Sequence, residues 1–400
     1  LESILPVPAT TNKCMKFIQT VFILFILFIS AVPVYGKNTD SVQKFGYHFQ
    51  QTLVGQSAFA DTLTALQKRS HNAFNDPTMK MSMSSTFYLG FKLWKNGSFY
   101  INPDVAGGSG LGGTLGVAGY MNGEIFRVGN PAPTVYISRM YIRQYFPLKQ
   151  GSSYVVPDAN QLGEWVPDSR IQVTIGKLSL ADIFDCNHYS HDPRTRFLNW
   201  SLMNAGAYDF ASNTKGYAYA AVAEYITPTL SFRGGAAVEP QYSNGPLTTK
   251  RDISGVTLAD MEVNLPNQGY GLNFELEKPI KQKSGKPAIV RLLGFINRVD
   301  AGKYTDAMAS PLYKTAPDSF VDNASAALAS VRKFNAVKYG FSLNIEKPIG
   351  PHAGAFSRIS WNDGKTESFA PAYNTISSSP QQVAIKTPFT YSITFIRPLQ

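Results

Sequence analysis

A period-two hydrophobic pattern with charge on its other face limits this fold more than any other feature of the sequence. Between Thr86 and Asp104, Phe87, Leu89, Phe91 and Leu93 alternate with Tyr88, Gly90 and Lys92. Lys95-Asn96-Gly97 then turns the chain, and Phe99 and Ile101 resume the alternation. Successive strand side chains point to opposite faces, and Asn-Gly favours a tight hairpin turn. The same reading gives strands over 136–146, 170–176 and 229–239. Met140 and Ile142 lie opposite Arg139, Tyr141 and Arg143. Ile171, Val173 and Ile175 oppose Gln172 and Thr174, and Leu230, Phe232 and Val238 oppose Ser231, Arg233 and Glu239. Further strands are expected over 217–225, 287–299 and 353–361. YGLNFELEKPI (270–280) and YGFSLNIEKPI (339–349) align without a gap, each read as a strand followed by a Lys-Pro turn. Two copies are too few for a solenoid, but they fit one sheet of repeated hairpins.

Such strands suit a soluble sandwich, which buries apolar faces against a second sheet, or a transmembrane barrel, which turns them to lipid. Composition narrows the field. Charged residues are 16% and aromatic residues 13%, which excludes a disordered chain. Mean hydropathy is −0.13, which excludes a polytopic helical membrane protein. Residues 17–36 (FIQTVFILFILFISAVPVYG) carry no charge and follow Met15-Lys16. A basic start, an unbroken apolar run from Val21 to Ile29 and the stretch Ser30-Ala31-Val32-Pro33 predict a secretory signal peptide over 15–36. That run is short for the ~20 residues of a spanning helix. Residues 1–14 precede Met15 and are read as upstream translation. After Lys37 the single cysteine is Cys186, so no internal disulfide is expected. Export, the lack of a disulfide and the abundance of tyrosine (21) and phenylalanine (26) favour the barrel. The net charge of +10 suggests an anionic partner without naming its class.

The segment 176–216 reads GKLSLADIFDCNHYSHDPRTRFLNWSLMNAGAYDFASNTKG. It resembles the signature region of the carbohydrate-selective porins (OprB family) of bacterial outer membranes. The matching residues are Gly176, Lys177, Asp182, Phe184 and Asp185, then Asn187, Tyr189, His191, Asp192, Pro193, Arg194 and Thr195, then Phe197, Asn199, Trp200, Gly206, Ala207, Tyr208 and Asp209. Residues 101–133, 87–94 and 361–368 are also similar to the family, so the resemblance spans about 45–368. Arg196 and Ser201 stand where the family more often has Gln and Ala. Likeness fades over 369–400, a divergent or truncated end with one strand expected at 389–395.

The resemblance implies a transmembrane antiparallel β-barrel of about 16 strands over 37–400. It implies passive diffusion of mono- or oligosaccharides across the outer membrane, with sugars and outer-membrane lipid as partners, no cofactor, no catalysis and a monomeric or trimeric state. Alternation places Arg139 and Arg143 on one strand face, toward the lumen, with Arg233 and Arg291 as further candidates. Arginine offers five donors in a fixed plane to a solute that has shed water. Each could instead serve lumen solvation or interstrand pairing. By resemblance, 176–216 folds inward and narrows the channel. Arg194, Arg196, Asn199 and Trp200 would then meet solute, while Lys177, Asp182, Asp185, His191 and Asp192 would lock the segment to the wall. Trp200 could stack on a sugar ring or anchor the loop.

Rival motifs are weaker. Gly108-x-Gly110-x-x-Gly113 matches a dinucleotide fingerprint but opens no helical pattern. The grouping of Cys186, His188 and His191 fits no zinc spacing, and Asp182 with Asp185 only imitates a glycosidase pair. Basic residues are dispersed, which argues against nucleic acid. An anion-preferring or general porin and an exported soluble glycan-binding β-protein stand as alternatives.

Overall fold

A computed structural model describes residues 41–57, 78–110, 122–124, 133–213, 215–240, 269–282, 285–314, 326–349, 353–368 and 389–396. The chain divides into two units, Leu1–Ser41 and Val42–Gln400. The first, which contains the expected signal peptide, lies outside the described residues except at Ser41.

The second unit is built of strands β1 (Phe45–Gln56), β2 (Lys80–Trp94), β3 (Gly97–Gly108), β4 (Thr134–Pro147), β5 (Ser152–Val155), β6 (Glu164–Pro167), β7 (Arg170–Leu178), β8 (Ala218–Ile226), β9 (Ser231–Val238), β10 (Tyr270–Ile280), β11 (Ala288–Ala301), β12 (Lys333–Pro348), β13 (Gly354–Asn362) and β14 (Phe389–Ile396). All but β5 and β6 form one 12-stranded antiparallel meander in chain order, while β5 and β6 pair as a separate hairpin. Every strand expected from the alternation is present. The β2–β3 turn places Asn96 at φ 61°, a left-handed backbone that asparagine tolerates. The Lys-Pro pairs differ from expectation. Lys278-Pro279 still pairs in register with Val290 and Ile289, so it belongs to the strand and not to a turn.

Burial along these strands is inverted relative to a water-soluble domain. Ile142, Phe146, Ile175, Phe232, Phe274, Leu292, Ile296, Phe341 and Ile345 are exposed, whereas Asn102, Glu224, Glu275, Arg291, Asn297, Asn344, Glu346 and Arg358 are buried. A soluble sandwich cannot keep a large exposed apolar surface on one face and a charged interior on the other. A barrel in lipid requires that arrangement.

The sheet also curls around its own loops. Arg358 of β13 donates from Nη1 to Ser190 Oγ at 2.6 Å. Arg194 donates to Thr86 Oγ1 and Tyr88 OH of β2 at 2.6 and 3.0 Å. On a flat sheet β2 and β13 would stand ~43 Å apart at ~4.8 Å per strand. The four residues from Ser190 to Arg194 reach at most ~14 Å. The two arginine side chains cannot make up the difference, so the sheet wraps around this segment as a β-barrel wall.

Candidate functional site

Near the end of β7, Gly176 pairs with Tyr141 of β4 and Ala220 of β8. It has φ 142°, and a Cβ there would lie 2.3 Å from the Met140 carbonyl oxygen, so only glycine fits. Beyond β7 the chain crosses the inner face, packing Leu180, Phe184, Tyr208 and Phe210 into a buried cluster with Phe295 of β11.

Three polar nodes fix this segment to the wall. At the first, Asp185 accepts Arg358 Nε at 3.1–3.2 Å, Asn344 Nδ2 at 2.9 Å and the Ala205 N–H at 2.7 Å. The Asp185 N–H donates to Glu275 at 2.6 Å. At the second, Arg194 donates to Glu124 at 2.7 Å and approaches Asp104 at 3.8 Å, in addition to its β2 contacts. At the third, Arg139 Nε and Nη2 each meet Asp182 at 2.6 Å. Burial raises the Asp182 carboxyl, but the Arg139 charge and hydrogen bonds outweigh it and hold the group below the usual range.

A ladder of alternating charge runs alongside. Arg233 on β9 meets Glu224, Glu275 and Glu277 at 3.0, 2.7 and 3.1 Å. Arg291 on β11 meets Glu277 at 2.7 Å and Glu346 at 3.1 Å. Glu346 in turn holds His188 Nδ1 at 2.7 Å. The internal echo explains this arrangement. β10 and β12 flank β11, and the equivalent positions Glu277 and Glu346 both grip Arg291, while the equivalent Glu275 and Asn344 both grip Asp185.

Each candidate residue therefore has a place. Arg139, Arg143 and Arg233 point to the inner face, as alternation predicts, but Arg139 and Arg233 are occupied by carboxylates. Arg143 donates to the Asn160 carbonyl at 3.2 Å and Tyr141 OH at 3.3 Å, and lies over the Tyr100 and Tyr141 rings at 5.2 and 5.5 Å. Trp200 is buried and stacks on Phe210 at 5.9 Å. The Asn199 carbonyl accepts the N–H groups of Leu202 and Met203 in the helical turn that follows. Lys177 is buried at the end of β7. Asp192 accepts the Arg194 N–H and Thr195 Oγ1, a local turn contact at φ 96°. His191 faces Asn204 at 3.2 Å, and burial lowers its pKa.

Asp182 and Asp185 answer to different arginines, Arg139 and Arg358, and not to each other. Burial pushes the Cys186 thiol up to about 12, so it stays protonated near neutrality. Cys186, Asn187, His188, His191, Thr195 and Arg196 surround an open pocket of about 290 Å³. Arg196 is exposed, and among the described residues nothing hydrogen-bonds its guanidinium. Sequence reasoning missed Arg358, Asn344 and Glu346. The 270–280 and 339–349 echo was the signal for the last two.

The sequence matches the family model for the carbohydrate-selective porin, OprB family, over residues 70–375. No curated protein matches it. Among solved structures it is similar to OmpT, an outer membrane protein of Vibrio cholerae in a trimer form folded in vitro. Identity is 8%, coverage 82% of this chain and 80% of that one, and TM-score 0.33. OmpF of Salmonella typhi in complex with daunomycin is similar at 6% identity, 82% and 83% coverage and TM-score 0.32. With the family model covering most of the chain, and with charge inside an antiparallel wall and apolar side chains outside it, this protein belongs to the OprB family of carbohydrate-selective outer-membrane porins.

Proposed function

We propose that this porin passes neutral mono- or oligosaccharides down their gradient through an arginine-lined bore, after export directed by residues 15–36. The charge balance of the inner wall carries the reading against an anion channel. Arg139, Arg194, Arg233, Arg291 and Arg358 each face at least one carboxylate within 4 Å, despite the net charge of +10. A wall of paired charge offers many donors and acceptors with little net field. That suits a polyhydroxylated neutral solute better than an ion. Arg196, exposed beside the pocket at 186–196, is the guanidinium best placed to meet solute.

Planar bilayers test this. The purified protein should show ion current blocked in a saturable way by D-glucose or maltotriose, with a reversal potential near zero in a salt gradient. Strong anion selectivity without sugar block would replace this reading with the anion channel. Arg196→Ala should weaken the block while leaving the fold intact.

A further inference from the structure

The connections of the sheet differ sharply at its two ends. At one end long stretches of sequence join β1 to β2, β3 to β4, β7 to β8, β9 to β10, β11 to β12 and β13 to β14. At the other lie the short turns 95–96, 227–230, 281–287 and 349–353, together with one exception, 148–169. Short turns mark the periplasmic end of an outer-membrane barrel, and long loops the outer end. The exception holds the β5–β6 hairpin and is built into the wall.

Its anchors are specific. Gly46 and Gly90 pair directly across β1 and β2. Together they leave a notch, since a Cβ on either would lie 2.9 or 3.1 Å from Leu162 Cδ2. Leu162, 1% exposed, fills that notch, and its N–H donates to Tyr100 OH at 3.3 Å. Glu164 forms a buried ion pair with Lys92 of β2. The Gln43 N–H donates to the Gly163 carbonyl at 2.8 Å, and Asn102 Nδ2 donates to Asn160 Oδ1 at 2.8 Å. Asn102 lies five residues up β3 from Gly97, so the insert reaches ~17 Å from its turn. Asp158 and Ala159, which precede the first of these anchors, Asn160, are exposed.

We infer that 148–169 is a second constriction, entering the bore from the periplasmic end and sharing β4 as an anchor with the 179–213 segment. Arg139 holds the outer segment through Asp182, and Arg143, ~13 Å along the same strand face, holds the insert through Asn160 and Gln161. Glu164 is its positioning residue, acting through Lys92. This gives β4 a role that the channel reading alone does not. The inference rests on that reading, because it needs the inner face to be the bore.

The test reads salt current alone, without sugar. In a Cys186→Ser background, Ala159→Cys is treated with a cationic methanethiosulfonate in each compartment of a bilayer. Reaction should reduce single-channel current, and faster from one side than from the other. A thiol that reacts in detergent with no change in current would overturn the inference. Replacing 156–163 by a short glycine turn should raise conductance about twofold or more. If that variant fails to fold, Asn102→Cys with Asn160→Cys should cross-link and leave conductance unchanged, while Glu164→Gln alone should give flickering current that the cross-link abolishes. Unaltered conductance in a folded loop replacement, or steady current in Glu164→Gln, would remove the second constriction. Raised conductance without any sugar block would instead sink the sugar reading and keep the insert.

Discussion

Asp185→Asn isolates the node that holds the inward segment most tightly. Asp185 sits at φ 56°, a backbone that asparagine also adopts, so the substitution removes charge without adding backbone strain. It leaves the Arg358 guanidinium, 2% exposed, without its carboxylate. Breaking a buried pair by removing one partner costs ~3–5 kcal/mol. Arg358 keeps Ser190 Oγ and the Leu202 carbonyl as acceptors, at 2.6 and 2.8 Å, which points to the lower end of that range. About 3 kcal/mol corresponds to a roughly 100-fold larger undocked population, at ~1.4 kcal/mol per tenfold. Limited proteolysis of the folded protein in detergent reads this population when cleavage is slower than redocking. Cleavage within 186–213 should accelerate by about that factor, and Asp185→Asn with Arg358→Met should recover most of the loss, because an uncharged pair needs no partner. Unchanged cleavage in the single variant, or simple addition of effects in the double, would refute the reasoning.

Other outcomes follow from the same geometry. Arg291→Met leaves Glu277 and Glu346 on either side of β11 without their shared cation and should cost ~3–5 kcal/mol, seen as a lower denaturant midpoint for the folded barrel. Gly176→Ala should sharply reduce folded yield, because its Cβ would strike the Met140 carbonyl; normal yield would show that β7 relaxes there. The Glu346 hydrogen bond and charge raise His188 above its ordinary 6.5, whereas burial lowers His191 below it. His188 therefore stabilises docking fully below pH 6.5, and that contribution fades as pH rises through its raised value. His191 contributes above pH 6.5 and loses its contribution as pH falls through its lowered value. Histidine NMR in micelles should place the His188 midpoint above 6.5 and the His191 midpoint below it, and Glu346→Gln should bring the His188 midpoint down.

The strands and their facing were legible because period two is local. Phe87, Leu89 and Ile142 declare their face within a few residues. The repeat was legible too, and it foreshadowed why Glu277 and Glu346 act together. What was not legible is long-range pairing. Asp185 and Arg358 lie 173 residues apart, and nothing in either neighbourhood names the other. For Arg139 and Arg143 solute contact and interstrand pairing both stood open, because alternation gives direction but not occupancy. The insert at 148–169 was invisible for the same reason, since its notch is made by two glycines on different strands. Trp200 could be read as a stacking face or as an anchor because its partner, Phe210, packs against it only once the segment folds inward.

The central claim is that apolar side chains of these strands meet lipid while charged ones face water. Spin labels placed singly along β11, from Leu292 to Asn297, and compared for collision with oxygen and with a water-soluble nickel chelate in liposomes, test it most directly. Oxygen contact should peak at 292, 294 and 296 and drop at 293, 295 and 297, whose side chains are packed against the inward segment and out of reach of lipid. An inverted pattern, or no alternation at all, would contradict the account.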